Sequence, residues 1–220
     1  MSSNNIYKLK WQKFLRCVWP FRFIPFVDFV FAAGSLATGN MHEESDFDVI
    51  VGVRQGRIFT ARLICFLIFR SLGWWAKHPD DSKDKLCFNH FVTPNSYRLS
   101  PPHNKYWKNL YNSLVPVYGD PRLIQKFYRA NKNWMKKIRL YQEDNRHVYI
   151  KASKTKKLLE QLLSGRTGDW FEKLFKKIQF EKIKIMANQS IEYKPRIIIS
   201  DNELEFHPDT RRIELLLKQK

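Results

Sequence analysis

The sequence predicts an α+β fold in which a small mixed β-sheet is flanked by helices and followed by a helical C-terminal region. Three features predict it. Short aromatic and β-branched segments, typical of buried strands, recur at 26–33, 47–53 and 86–93. Segments whose apolar residues recur at helical spacing separate and follow these strands. The chain has 220 residues and is 44% hydrophobic, enough for one substantial domain with a smaller helical addition.

The first half of the chain alternates predicted strands and helices. Residues 1–20 form an amphipathic helical pattern that ends at Pro20, because proline cannot continue a helix. The strand at 26–33 runs directly into Gly34-Ser35, a short helical turn and the turn signal Gly39-Asn40. The next predicted elements are a strand at 47–53, a helix at 58–72, a polar loop at 76–85, a strand at 86–93, a proline-containing loop at 94–104 and a helix at 105–118.

The second half is predicted to be mostly helical. Asp120-Pro121 is a strong helix start, since aspartate caps the helix and proline suits its first position. The remaining predicted segments are a helix at 121–138, a helical region at 145–185 broken at Ser164-Gly165, a late strand or extended arm within 193–206, and a last helix at 208–218. We divide the chain into a core at 1–118 and a basic C-terminal region at 119–220 that packs on it.

The charge balance is strongly basic. Lysine and arginine total 39 against 21 acids, a net charge of +18, which attracts polyanions. Residues 122–157 alone hold twelve basic residues and two acids. A solvated helix surface and a phosphate-binding face are both consistent with this run. If it contacts RNA or tRNA, the candidate residues are Arg122, Arg129, Lys132 and Lys136.

The cysteines and the apolar segments favour a cytoplasmic protein without a membrane span. The three cysteines are widely spaced and form no CxxC pair, which argues against a disulfide framework and a zinc site. No signal peptide is evident. The apolar segment at 58–75 contains Arg62 and Arg70, which are costly in a bilayer, so it predicts a buried helix.

Two carboxylates begin the second predicted strand. Asp46 and Asp48 are two residues apart and therefore point to the same side of a strand. A divalent cation relieves their repulsion, and Mg²⁺ prefers such oxygen ligands; paired carboxylates can hold two ions about 3.5–4 Å apart. Gly34-Ser35, at the end of the preceding strand, suits the close approach of a triphosphate. Each feature alone is common in turns and solvated strand ends, but this combination is unusual.

The segment FAAGSLATGNMHEESDFDVIV resembles the signature of the nucleotidyltransferase superfamily that includes DNA polymerase beta. It has the hydrophobic strand, Gly34-Ser35, a spacer of ten residues that ends with Ser45, and then Asp46-Phe47-Asp48. It is most similar to stand-alone bacterial members. The resemblance implies a mixed sheet, magnesium, and transfer of a nucleoside monophosphate from a nucleoside triphosphate. Gly34, Ser35 and Ser45 would bind the nucleotide, and Asp46 and Asp48 would be catalytic metal ligands.

The third catalytic carboxylate of that superfamily, expected on the following strand, is not evident. The strand LCFNHFVT offers Asn89, whose amide oxygen could coordinate metal, and His90, which could act as a base. A histidine on an apolar strand is also common in a core. Asp80, Asp81 and Asp84 lie just upstream, as possible replacements or as ordinary loop acids.

Two functional hypotheses follow. One is a nucleotidyltransferase acting on an RNA, protein or small-molecule acceptor, with Arg54 as a further candidate for phosphate contact. The alternative is a catalytically weak module of the same fold that binds nucleotide, RNA or a protein partner. The third catalytic group distinguishes them.

Overall fold

A mixed β-sheet with helices on both faces forms the centre of the molecule in the computed structural model, which describes residues 3–76, 81–100, 103, 105–135, 152–189 and 196–207. The helices are α1 Ser3–Val18, α2 Gly34–Thr38, α3 Ile58–Ser71, α4 Lys105–Ser113, α5 Pro121–Ala130, α6 Lys154–Leu162 and α7 Gly165–Gln189, with short 3₁₀ turns at Trp19–Phe23 and Pro94–Ser96. The strands are β1 Val27–Ala32, β2 Phe47–Val53, β3 Leu86–Val92, β4 Val115–Gly119, β5 Arg196–Ile199 and β6 Glu203–His207.

The sheet has the strand order β4-β1-β2-β3-β6-β5. Strands β2 and β3 are parallel, and each of the other neighbouring pairs is antiparallel. A parallel pair needs a crossover connection, and α3 lies within it. The predicted α+β class with a mixed sheet is therefore confirmed.

The two faces of the sheet bury separate apolar clusters, because successive strand residues point to opposite sides. Val30, Val49 and Val51 pack on the face that carries α1 and α3. Phe31 and Ile50 pack on the other face, against α4 and α5. Asp48 lies two residues before Ile50, so its side chain leaves β2 on this second face.

The predicted helix at 105–118 is wrong in its second half. Helix α4 ends at Ser113, and residues 115–119 form β4, which pairs with β1. Pro116 explains the change, since proline cannot stay inside a helix but is tolerated in an edge strand such as β4. The helix predicted at 121–138 ends at Ala130, followed by turns, and its last residues lie outside the described part of the chain.

The late strand within 193–206 is confirmed as β5, and a second strand, β6, follows it and pairs with β3. The helical region at 145–185 contains α6 and α7 with the predicted break at Ser164. Residues 145–151 and 208–218 lie outside the described residues. The sheet includes strands from both sides of residue 118, and the division of the chain there stays a prediction.

Helix α7 is fixed across the start of α3. The Glu172 carboxylate accepts hydrogen bonds from the backbone N–H groups of Phe59 and Thr60, each at 2.9 Å, and from the Thr60 hydroxyl at 2.6 Å. Gln179 donates to the Phe59 carbonyl and accepts from Arg62 at 2.7 Å. Thus α3 is a packed helix, as predicted, and none of the described helices is long and apolar enough to cross a membrane.

Candidate functional site

A pair of carboxylates lies where β2 begins, beside β3. Asp46 immediately precedes β2, and Asp48 pairs in register with Cys87 of β3. One ligand atom from each of these three side chains can be chosen so that all three lie within 4.8 Å of one another. The parallel pairing of β2 with β3 therefore brings a thiol to the two predicted metal ligands.

The start of α2 lies directly against Asp48. The Ala33 N–H donates to the Asp48 carbonyl at 2.9 Å. Gly34 has a φ of +58°, and a Cβ added there would lie 2.0 Å from Oδ2 of Asp48. Two features require glycine here: the left-handed backbone conformation, and the close approach of the Asp48 carboxylate to the Gly34 Cα. The structure thus brings the Gly34-Ser35 turn and the carboxylates together.

Asn89 and Cys87 occupy the β3 side of this cluster. The Asn89 amide nitrogen donates to Oδ1 of Asp48 at 2.9 Å, and the Cys87 thiol donates to the Asn89 amide oxygen at 3.0 Å. The amide oxygen that was predicted to coordinate metal is therefore an acceptor for the thiol. A cation that took this oxygen would have to displace that hydrogen bond.

Burial sets the electrostatics of the pair. It raises the pKa of Asp48 to about 7, and the neighbouring carboxylate of Asp46 adds to the increase. Burial also raises the pKa of Asp46, against weaker opposing effects that include the positive charge of Lys10. Two carboxylates this close cannot both ionise without cost, and a divalent cation removes that cost. The donor set therefore fits a metal ion.

The residue before the pair, Ser45, has a structural environment. It is buried, and its hydroxyl accepts a hydrogen bond from the His42 N–H at 3.0 Å. Its carbonyl accepts from Nζ of buried Lys10 at 2.8 Å, which ties α1 to the loop that carries Asp46. Ser35 is partly exposed in the first turn of α2, next to Gly34. Nucleotide binding by either serine stays a prediction.

His90 belongs to a different cluster. It is 2% exposed, and its Nε2 lies 2.8 Å from a Glu203 carboxylate oxygen on β6. It pairs in register with Ile50, which lies two residues further along β2 than Asp48. Glu205 completes this second cluster. A substrate would have to enter the core to reach the imidazole, so the structure gives no direct support to a role as base.

The loop acids weighed as a third carboxylate are paired with lysines. Asp81 contacts Lys85 at 2.5 Å, and Asp84 lies between Lys10, at 2.8 Å, and Lys13. Asp80 lies outside the described residues. Within the described chain, Cys87 is thus the third potential ligand beside Asp46 and Asp48.

Among the predicted phosphate-binding residues, Arg54 lies away from the pair. Arg54 follows β2 at its other end, about 20 Å from Asp48 at the usual rise per strand residue. It forms ion pairs with Glu160 and Asp28 there, at 3.2 and 3.4 Å. The candidate RNA contacts on and after α5, Arg122, Arg129 and Lys132, are exposed, whereas Lys136 is outside the described residues.

Sequence reasoning missed two residues of this site. Cys87 could have been found, since residues 87 and 89 share one side of a strand and Asn89 was already a candidate. Lys10 gave no such signal, because it is 35 residues from Ser45 and is one of several lysines on an amphipathic helix. Only the packing of α1 on the sheet distinguishes it from its neighbours.

Comparisons with family models, curated proteins and solved structures find no match to this chain.

Proposed function

We propose that this chain is a metal-dependent nucleotidyltransferase that transfers a nucleoside monophosphate from a nucleoside triphosphate to an RNA, protein or small-molecule acceptor. The observation that carries the proposal is the contact between Gly34 and Asp48. It brings the turn suited to phosphate against the carboxylates suited to Mg²⁺, and leaves no room for a side chain between them.

The residues have separate roles in this proposal. Asp46 and Asp48 hold the metal, with Cys87 adjacent, and the turn at Gly34 and Ser35 receives the triphosphate. A bound divalent ion supplies charge neutralisation for the phosphates. Lys10 is a positioning residue, because it holds the Ser45 carbonyl and so fixes the loop before Asp46.

The proposed reaction forms a bond from an acceptor oxygen or nitrogen to the α-phosphorus of the nucleotide. It breaks the bond from that phosphorus to the bridging oxygen, and pyrophosphate leaves with the bonding electrons. The acceptor's proton passes to solvent, since the Asn89 amide beside Asp48 cannot take it.

The experiment is calorimetric titration of each of the four nucleoside triphosphates with Mg²⁺ into the wild type and into Asp46→Asn/Asp48→Asn. The surface variant Asp201→Asn is the matched control. Magnesium-dependent binding that is lost only in the double variant supports the site. Absence of binding by all four nucleotides contradicts the proposal. Transfer is then measured with nucleotides labelled at the α-phosphate, incubated with RNA and with the protein itself.

A second candidate is a module that binds nucleotide or RNA but transfers poorly. The observation that favours it is the amide and thiol of Asn89 and Cys87 in place of a third carboxylate. Nucleotide binding without transfer of label to any acceptor would support this candidate over the first.

A further inference from the structure

The outer face of α7 carries an exposed apolar stripe. Trp170, Leu174 and Ile178 follow one another at intervals of four residues, so they lie along one side of the helix. Their exposed fractions are 59%, 36% and 46%. Single exposed apolar residues are common on proteins, but a continuous row that includes tryptophan marks an interaction surface.

This stripe takes no part in attaching α7 to the rest of the molecule. Glu172 and Gln179 face α3, and Ile183 on the same side is buried. Each residue turns the helix by about 100°, which places the stripe roughly opposite that packing side. The fold therefore leaves these apolar side chains partly exposed to solvent, while Glu172, Gln179 and Ile183 on the opposite side are engaged or buried.

Cations lie along one flank of the stripe. Arg166, Lys173 and Lys177 are exposed, and the helical rotation places them next to Trp170. The nearby acid Asp169 pairs with Arg57 at 2.8 Å. Glu181, exposed at the end of the stripe, is one acid against these three cations, so the face is net positive. The total charge of the chain is +18.

Helix α6, which precedes α7, has the same combination of residues. Leu158 and Leu162 are exposed one turn apart, and Lys154 and Lys157 are exposed beside them. Exposed leucines among lysines thus occur on two consecutive helices of the C-terminal region.

We propose that the outer face of α7 binds the surface of an anionic phospholipid membrane. Tryptophan prefers the boundary between headgroups and acyl chains. Leucine and isoleucine contribute binding free energy when their apolar surface is buried in the acyl region. The lysines and the arginine would contact the acidic headgroups. The binding is peripheral, since α7 lies along the membrane surface with its other side on α3.

Two other anionic partners fit less well. A nucleic acid offers phosphates and base faces that stack on aromatic rings, but it has no aliphatic region that would take up Leu174 and Ile178. An acidic protein would need a groove shaped to a convex helix ridge, whereas a fluid bilayer adapts to it. The proposal does not depend on the nucleotide site, and its test uses no nucleotide.

The test is cosedimentation of the full chain with vesicles of phosphatidylcholine, with and without phosphatidylserine. We expect binding to the anionic vesicles only. Trp170→Ser/Leu174→Ser should weaken it by at least about tenfold, because apolar burial is lost. Lys173→Glu/Lys177→Glu should weaken it about as much through charge. Circular dichroism checks that each variant folds.

The matched control is Trp19→Ser/Leu9→Ser, which removes the same two residue types, similarly exposed, from the N-terminal helices. An equal loss in this control would show that binding does not depend on the α7 face and would overturn the proposal. No binding to anionic vesicles would also overturn it. The proposal would also be overturned if the protein did not bind vesicles but self-associated, or bound an acidic peptide, in a way that required Trp170. Brominated lipids should quench the tryptophan fluorescence of the wild type more than that of Trp170→Phe.

Discussion

The Asn89 amide donates a hydrogen bond to Oδ1 of Asp48 at 2.9 Å, across the parallel pair of β2 and β3. This bond gives the half-buried carboxylate a neutral amide donor on the strand where the proposed transfer activity would call for a third carboxylate. Asn89 is thus the residue at which the enzymatic and the binding hypotheses can be separated by substitution.

Asn89→Asp should increase the response of the protein to divalent cations. Without metal, the added charge beside Asp48 should lower the free energy of unfolding by about 1–3 kcal/mol. With Mg²⁺ or Mn²⁺, thermal unfolding should shift upward more than in the wild type, because three carboxylates bind the ion better. Asn95→Asp, an exposed change of the same kind, is the control. Equal metal responses in the two variants would contradict the expectation.

The stability of the metal-free protein should depend on Asp48 and pH. The pKa of Asp48 is raised from 3.8 to about 7, so the folded state binds its proton more tightly than the unfolded state. This contribution to the free energy of unfolding is fully present below about pH 4 and is lost as pH rises to about 7. Asp48→Asn should therefore stabilise the protein by about 1–3 kcal/mol at pH 8 and by less at pH 5.

Urea unfolding at several pH values measures this difference, with Asp201→Asn on the surface as the control. The control should change the free energy of unfolding by a similar small amount at each pH. A difference between Asp48→Asn and the wild type that is the same at pH 5 and pH 8 would refute the prediction.

Gly34→Ala should damage the candidate site far more than Gly39→Ala. Both residues have positive φ, so both substitutions cost about 1 kcal/mol in backbone strain. A Cβ at position 39 meets nothing within 4 Å, but one at position 34 meets Asp48. We expect a further loss of about 2 kcal/mol or more and a lost metal response, measured by thermal unfolding with and without Mg²⁺. Similar behaviour of the two variants would show that the contact is unimportant.

If the end of α5 binds RNA, the affinity should fall steeply with salt. Arg129→Gln/Lys132→Gln should reduce the slope of log affinity against log salt by about 1.4–1.8, since each lost phosphate contact removes about 0.7–0.9. Fluorescence anisotropy with a labelled RNA measures it. Lys8→Gln/Arg16→Gln, two exposed residues of α1, is the control. An affinity that stays flat from low to high salt would remove the idea.

Glu172→Ala should loosen α7 from α3. The substitution leaves the Phe59 and Thr60 N–H groups without their carboxylate acceptor, so we expect a loss of about 2–4 kcal/mol in the free energy of unfolding. Glu181→Ala, an exposed change on the same helix, should stay within about 0.5 kcal/mol. Hydrogen exchange at Phe59 and Thr60 should rise in the first variant only. Unchanged exchange there would mean that other contacts hold α7.

The sequence by itself determined the strands β1, β2 and β3, the helix between β2 and β3, and the position of Gly34, Asp46 and Asp48. Such features are local: the period of apolar residues, the turn glycines and the two-residue spacing of the acids act within a few residues. That is why the α+β class was predictable from them.

Tertiary structure decided which strands pair and which side chains lie beside Asp48. Residues 115–119 form a strand because they pair with the free edge of β1 and because Pro116 excludes a helix. Strand β6 forms by pairing with the edge of β3 that β2 leaves free. Cys87 and Asn89 lie 39 and 41 residues after Asp48 in the chain. The register of the parallel strands β2 and β3 places them beside it. Such pairings depend on burial and hydrogen bonds between distant segments, so the local pattern can suggest candidate residues but cannot fix which strands pair.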